Sequence, residues 1–332
     1  ACPCMTYWID EDQASVFCLI DAPDKEAFVL MHSHAHGLVP HEIVEVRASV
    51  VEAFLGRIKD PESTMDQANS DLKIFSDPAF RAILVAKTTD TRLLRHILGR
   101  DRADKLLLTY SATVKDQLNS FGGREVECHG EGFIASFMSV SKAIACSQNI
   151  IKSHPHLSDE IGLHMGLHAG MPIAKNDTLF GSIVRLARYL SSITKPGEVL
   201  VSSAIRQHIK EYSLPPDLQM RWLNHAEEAF LISVMDTLAS CWNDPHFGIG
   251  EFCRKVLMSK PQLYRKTKSL TGKSPNTLLR DYRLLQSLDL LKKENRNIAQ
   301  TTFDVGFTSP SYFAKCFHGK FGLHPLTYLK AK

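Results

Sequence analysis

No stretch of this sequence approaches the roughly 20 consecutive apolar residues that a helix needs to cross a bilayer. The opening residues, Ala1, Cys2, Pro3 and Cys4, hold neither a basic nor an apolar region of the secretory kind, so no signal peptide is expected there. No tandem repeat of about 20–50 residues and no low-complexity tract is present, which argues against solenoids and arrays. The eight cysteines are scattered through 332 residues. Such spacing suits free thiols in a reducing cytoplasm better than a disulfide framework. With 44% hydrophobic and 23% charged residues, the composition is that of an ordinary folded protein and argues against large-scale disorder. The length suffices for two or three domains.

Charge of one sign is also lacking in the whole, where the net value is +3, but not in the parts. Residues 241–332 hold 16 Lys+Arg against 6 Asp+Glu, or +10, and the remaining 240 residues carry −7. A small basic region on an acidic body points to a polyanion partner for the C-terminal end alone. A solvated basic face would have the same composition.

Composition shifts divide the chain into segments. Residues 1–55 read as strand ("VFCLIDA"), helix ("DKEAFVLMHSHAH") and strand ("EIVEV"), an α+β pattern. Residues 56–79 are polar, without apolar periodicity, and read as a linker. Residues 80–212 alternate apolar strands with helical stretches, an α/β domain. Residues 213–240 begin with "SLPPD" and continue into a linker helix. Residues 241–332 are predicted to be all helical.

Two helix-turn-helix pairs are predicted in those last residues. In the first, Ser259 caps a helix over 260–268. In the second, a helix over 298–305 ends at Gly306, and Ser309 caps a helix over 310–320 that starts on proline. The apolar residues Leu278, Leu279, Tyr282, Leu285, Leu288 and Leu291 make one long helix between them. A helix in the major groove presents donors to base edges while lysines and arginines neutralise phosphates. Two such helices on a rigid connector could enter successive grooves roughly 34 Å apart. A small helical bundle with a basic surface remains the alternative.

The stretch "DVGFTSPSYFAKCFHGKFGLHPLTYLK" resembles the signature of AraC/XylS-type transcription regulators, carried by Gly306, Phe307, Ser309, Tyr312, Phe313, Lys315, Phe317, Phe321, Gly322, Pro325 and Tyr328. "MSKPQLYRKTKSLTGKSP" matches the same family upstream. The resemblance covers about 90 residues. It implies double-stranded DNA as the partner, with Ser259, Lys260, Gln262, Arg265 and Lys266 reading through the first helix and Ser309, Ser311, Tyr312 and Lys315 through the second. Thr267 departs from it, standing where the family places a packing phenylalanine.

In the middle region, "GGREVECHGEGFIASF", "IGLHMGLHAGMPI" and "LFGSIVRLARYLSSITKPGEVLVSS" resemble a class III nucleotidyl cyclase domain. Such cyclases hold two metal ions on two aspartates. Here Lys87 stands in the first position, and a lysine cannot ligate Mg²⁺ at neutral pH. Glu131 stands in the second, and Glu127 occupies the base-recognition position. Arg185 and Tyr189 replace the Asn and Arg that orient the ribose and stabilise transition-state charge. The resemblance therefore implies a domain without catalysis. It would bind a nucleotide or other anion through Lys87, Glu127, Glu131, Arg185 and Arg188 or, as the favoured role, pair subunits as a homodimer. The enzyme alternative is an active cyclase fused to a DNA-binding domain. Binding of DNA without sequence preference, as in a nucleoid protein, is a third reading.

Near the N-terminus, Asp24 can cap and Gly37 can end a helix carrying His32, His34 and His36. His32 and His36 are four residues apart and share a face, so they can share a metal; Glu42 and the thiols Cys2, Cys4 and Cys18 are further donors, and His41 lies close by. A polar surface helix is the plain alternative. "YWIDEDQASVFCLIDAPDKEA" with the following His-x-x-x-His-Gly-Leu-Val resembles a small ferredoxin-like domain of nickel-binding proteins over about 45 residues. Members carry a strand and a helix ahead of the Tyr-Trp, so only part of that domain is expected here. The resemblance implies nickel or zinc on His32, His36 and Glu42. Taken together, the sequence predicts a cytoplasmic regulator with a sensing body, a linker helix near "WLNHAEEAFLISVMDTLAS" and a DNA reader. A ligand shifts DNA affinity only through its differential affinity for two states.

Overall fold

The computed structural model describes residues 2–10, 15–36, 42–60, 79–129, 132–153, 155–172, 178–209, 220–293 and 296–331. They form two compact units: residues 1–87 with 109–222, and residues 88–108 with 223–332.

The chain opens with an antiparallel ribbon, β1 (Cys4–Asp10) against β2 (Ser15–Ile20). Helix α1 (Lys25–His36) follows, with Asp24 accepting from the Ala27 amide at 2.7 Å. The strand expected at "EIVEV" does not form: residues 42–46 are irregular, and among the described residues no strand pairs with them. Helix α2 (Ala48–Leu55) ends on Gly56, whose φ of 87° is the left-handed C-cap conformation.

The central strand β3 (Arg81–Lys87) is buried from Arg81 to Ala86. Its run of Ala, Ile, Leu and Val suits a strand covered on both faces. Next come α3 (Thr91–Leu98) and α4 (Arg100–Phe121). The hairpin β4 (Arg124–His129) and β5 (Gly132–Phe137) is followed by α5 (Val140–Ser153), α6 (Pro155–Glu160), β6 (His164–Gly170), α7 (Gly181–Ile193), β7 (Val199–Val201), α8 (Ser203–Gln207) and β8 (Met220–Trp222). The sheet runs β4-β5-β3-β6-β7-β8, antiparallel as far as β6 and parallel from there. Helix α7 lies close on β6: a Cβ at Gly166 would meet the Ala187 carbonyl oxygen at 2.2 Å, so only glycine fits there.

One core joins the ribbon, α2 and the sheet through Trp8, Val51, Phe54, Leu55, Ile83, Val85, Ile134 and Phe180. Phe54 and Phe180 stack with centroids 4.8 Å apart. Arg81 is the charged exception in this core. Its guanidinium donates to the carbonyls of Phe54 at 3.2 Å and Leu55 at 3.1 Å, so a buried cation satisfies the open end of α2.

The second unit is helical: α9 (His225–Cys241), α10 (Ile249–Lys255), α11 (Lys260–Thr271), α12 (Pro275–Lys292), α13 (Ile298–Asp304), α14 (Pro310–Phe321) and α15 (Pro325–Lys330) join α3. The long helix expected between the two pairs is α12. Its buried Leu284, Leu288 and Leu291 form a core with Leu93, Val305, Phe307, Phe313, Phe317, Leu323 and Tyr328. Helix α11 runs one turn past the predicted residue 268, to a left-handed Gly272 with φ 72°. Among the described residues, no helix is long and apolar enough to cross a membrane.

Candidate nucleic-acid interface

Helices α11 and α14 are built on one plan. Each opens on a serine cap, Ser259 accepting from the Gln262 amide and Ser309 from the Tyr312 amide. Each carries proline in its first turn, where the missing amide hydrogen costs nothing. Each ends on a left-handed glycine, Gly272 or Gly322. A proline-started helix follows both, α12 after Ser274 and α15 after His324. Leu263 and Phe313, at the fourth position after each cap, turn inward and are fully buried.

The opposite faces are open. Lys260, Gln262, Arg265 and Lys266 are exposed on α11. Ser311, Tyr312 and Lys315 are exposed on α14, and Ser309 is half-buried at its start. Two of these predicted contacts also have structural tasks. Gln262 turns its carbonyl oxygen back to the Ser259 amide at 3.2 Å, closing a capping box. The Lys266 ammonium lies 5.5 Å from the centroid of the Phe230 ring on α9, a cation–π distance. Lys260, Arg265 and Lys315 point away from the core, as any contact with a polyanion requires.

Helix α12 ties the two pairs together. Asp281, buried on its inner side, pairs with Lys273 at 2.7 Å and with Lys320 of α14 at 3.0 Å. Burial alone would raise the Asp281 carboxyl; hydrogen bonds and charge from the two lysines hold it below the ordinary range instead. Arg283 donates to the Trp242 carbonyl at 2.7 Å and to that of Asp244 at 2.7 Å, securing the segment after α9. Asp281 and Arg283 were not evident from the sequence pattern. Their signal was faint: charges inside an otherwise apolar helix face.

Thr267 is fully buried, and its hydroxyl finds no hydrogen-bond partner among the described residues. Phe317 holds the matching position in α14, with Phe313, Phe321 and Tyr328 at ring separations of 5.7, 4.7 and 5.9 Å.

The candidate nucleotide residues are distributed as follows. Lys87 ends β3, exposed, across from Gly132 and His164. Glu127 on β4 and Arg188 on α7 meet in an ion pair at 2.9 Å, so each cancels the other's charge. Arg185 is exposed on α7, and Glu131 lies outside the described residues. Of the candidate metal donors, His32 is half-buried on α1 with its ring 5.1 Å from that of Phe28. His34 contacts the Leu30 carbonyl at 2.7 Å through Nδ1, and Glu42 is exposed. The His36 side chain and the whole of His41 lie outside the described residues. Among the described residues, no three His, Cys, Asp or Glu side chains converge as a metal site would require.

Residues 252–331 match the family described as a helix-turn-helix domain, and residues 4–46 match the family "Nickel responsive protein SCO4226-like". The chain is 32% identical over 133 residues to "Histidine kinase P4" of Formosa agariphila, covering 40% of this chain and 8% of that one. It is 29% identical over 132 residues to the "HTH-type transcriptional regulator MtrA" of Neisseria gonorrhoeae, covering 40% and 42%. The chain thus spans less than half the length of either relative. Among solved structures, the guanylyl cyclase Cya2 is similar over 40% of this chain and 79% of its own, at 17% identity and a TM-score of 0.33.

Proposed function

We propose that this protein is a sequence-specific DNA-binding transcription regulator, with α11 and α14 as its two recognition helices. The observation that carries this reading is the duplicated plan. Two capped helices sit on one connector, each burying an apolar face and presenting cations outward at Lys260, Arg265 and Lys315. An 18-residue α12 is about 27 Å long, comparable with the roughly 34 Å between successive major grooves. The domain matched over residues 252–331 and the regulators that share it support the same conclusion. Base reading falls to Arg265, Ser311, Tyr312 and Lys315, while Lys260 and Lys266 meet phosphate. Gln262 contributes the amide nitrogen its cap leaves outward.

The first unit serves as the sensing and pairing body. Lys87, Arg185 and Tyr189 stand where a nucleotidyl cyclase would need metal-binding and transition-state groups, so the role is binding without turnover, or homodimer formation. A transition metal on His32, His36 and Glu42 is the candidate signal, supported by the match over residues 4–46. A DNA partner supports a cytoplasmic location.

The test is selection of bound duplexes from a random pool by the full chain, followed by competition. The selected duplex should bind roughly 10³-fold or more tighter than random DNA at moderate salt. Equal affinity for both would leave a nucleoid-type protein in place of a specific regulator. Cyclic product formed from ATP or GTP with Mn²⁺ would restore the enzyme reading.

A further inference from the structure

The second recognition helix rests on residues from far upstream. Asp90 follows β3 and caps α3, with its side chain only 4% exposed. One carboxylate oxygen accepts from the Arg92 amide at 2.9 Å and the Leu93 amide at 3.1 Å. The other accepts from the Tyr328 hydroxyl at 2.8 Å and the Lys292 ammonium at 2.7 Å. Both oxygens are used, which is what a buried carboxylate requires. Leu93 enters the core beside Phe313, Phe317 and Tyr328. The Arg92 guanidinium lies 5.5 Å from the Tyr328 ring centroid. Tyr328 in turn packs edge-on against Phe317, on the inner face of the helix whose outer face holds Ser311, Tyr312 and Lys315.

The contacts form a continuous path from Asp90 to Tyr328, to Phe317 and to α14. Among the described residues, the first pair has no counterpart of this path. The position matching Tyr328 is Leu278, which carries no hydroxyl to be held.

We propose that Asp90 is a positioning residue for the second recognition helix, and that α3 is an integral part of the DNA-reading unit although it lies more than 200 residues from α14 in sequence. Removing the Asp90 carboxylate takes away the hydrogen bond from the Tyr328 hydroxyl and the 2.7 Å ion pair with Lys292, so α15 and then α14 lose their fixed seat. The inference rests on the reading of α14 as a DNA helix, and the test keeps the two apart.

Full-length Asp90→Ala, Asp90→Asn and Tyr328→Phe are compared with the unaltered chain by hydrogen exchange and by binding to a duplex selected with the unaltered chain. Asp90→Ala should speed amide exchange in Pro310–Phe321 at least tenfold and leave Lys260–Thr271 unchanged. It should weaken the selected duplex about tenfold and erase base preference in the half read by α14 alone. Tyr328→Phe removes one hydroxyl and should show the same polarity at smaller size, should Asp90→Ala fail to fold. Asp90→Asn keeps an acceptor for the α3 amides and should recover part of the loss. Equal changes in both helices, or none in α14, would overturn the proposal. If the unaltered chain selects no duplex, the DNA reading fails while the exchange result still decides whether Asp90 seats α14.

Discussion

The two helix-turn-helix pairs of the second unit share caps, prolines and terminal glycines, yet they are held by different means. The second has an aromatic core of Phe307, Phe313, Phe317, Phe321 and Tyr328, closed by the Asp90 contacts. The first has Leu263, Leu270 and a threonine whose buried hydroxyl has no partner among the described residues. Their turns differ likewise. Gly306 takes φ 78° at no steric cost, whereas Leu257 adopts φ 54° with its side chain 91% exposed. The same motif can therefore be made tight or loose without touching its outer face. The first pair carries its strain at an exposed turn, outside its core.

The largest expected break in this contrast is Phe317→Ala. Removing that ring should cost about 3–5 kcal/mol, against well under half that for Thr267→Ala at the matching place. Urea unfolding followed by circular dichroism would measure both; equal losses would mean that the two cores carry equal weight.

Gly306→Ala comes next. The left-handed backbone opposes it, and its Cβ would meet the Trp242 carbonyl oxygen at 2.8 Å. A loss of about 1–3 kcal/mol is expected in the same assay. The reverse exchange, Leu257→Gly, relieves strain and gives up no packing. It should leave the first pair up to about 1 kcal/mol more stable after the entropy cost of glycine is counted.

Thr267→Val keeps the shape and removes the unsatisfied hydroxyl. A gain of about 1 kcal/mol in unfolding free energy, with DNA affinity unchanged, is the expected result. A loss would show that the hydroxyl has a partner in solution.

Acid sharpens the comparison least but with a definite sign. Burial alone would raise Asp90; the hydrogen bond and charge of Lys292, with the Tyr328 hydroxyl and the Leu93 amide, bring it below the ordinary 3.8. A depressed carboxyl contributes stability that is complete above its unfolded value and lost as pH falls through the folded one. Below about pH 4 the second pair, held by Asp90, should loosen ahead of the first, as resolved by hydrogen exchange along α14 and α11.

The helix-turn-helix elements were legible because their signals are local. Ser259, Ser309, Pro310, Gly272 and Gly322 each act within a turn or two of their own position. The exposed cations followed from the helical period. Asp90 was not legible as a partner of the second helix-turn-helix pair. Its only local sign was that of a cap before Thr91, and its hydroxyl partner lies 238 residues further on. The ion pair of Glu127 with Arg188 was hidden for the same reason, being made across 61 residues. At "EIVEV" a pattern of apolar residues suggested a strand, but a strand needs a neighbour, and the local sequence does not say whether one is present.

The sequence by itself determined where helices start and stop, which faces are apolar and where positive charge gathers, since these depend on neighbours within a few positions. Tertiary structure alone decided which of the charged groups are used up in holding the molecule together, and that Thr91–Leu98 joins the unit of α14. Those outcomes depend on desolvation and on distances between residues remote in the chain, and both come into being only when it folds.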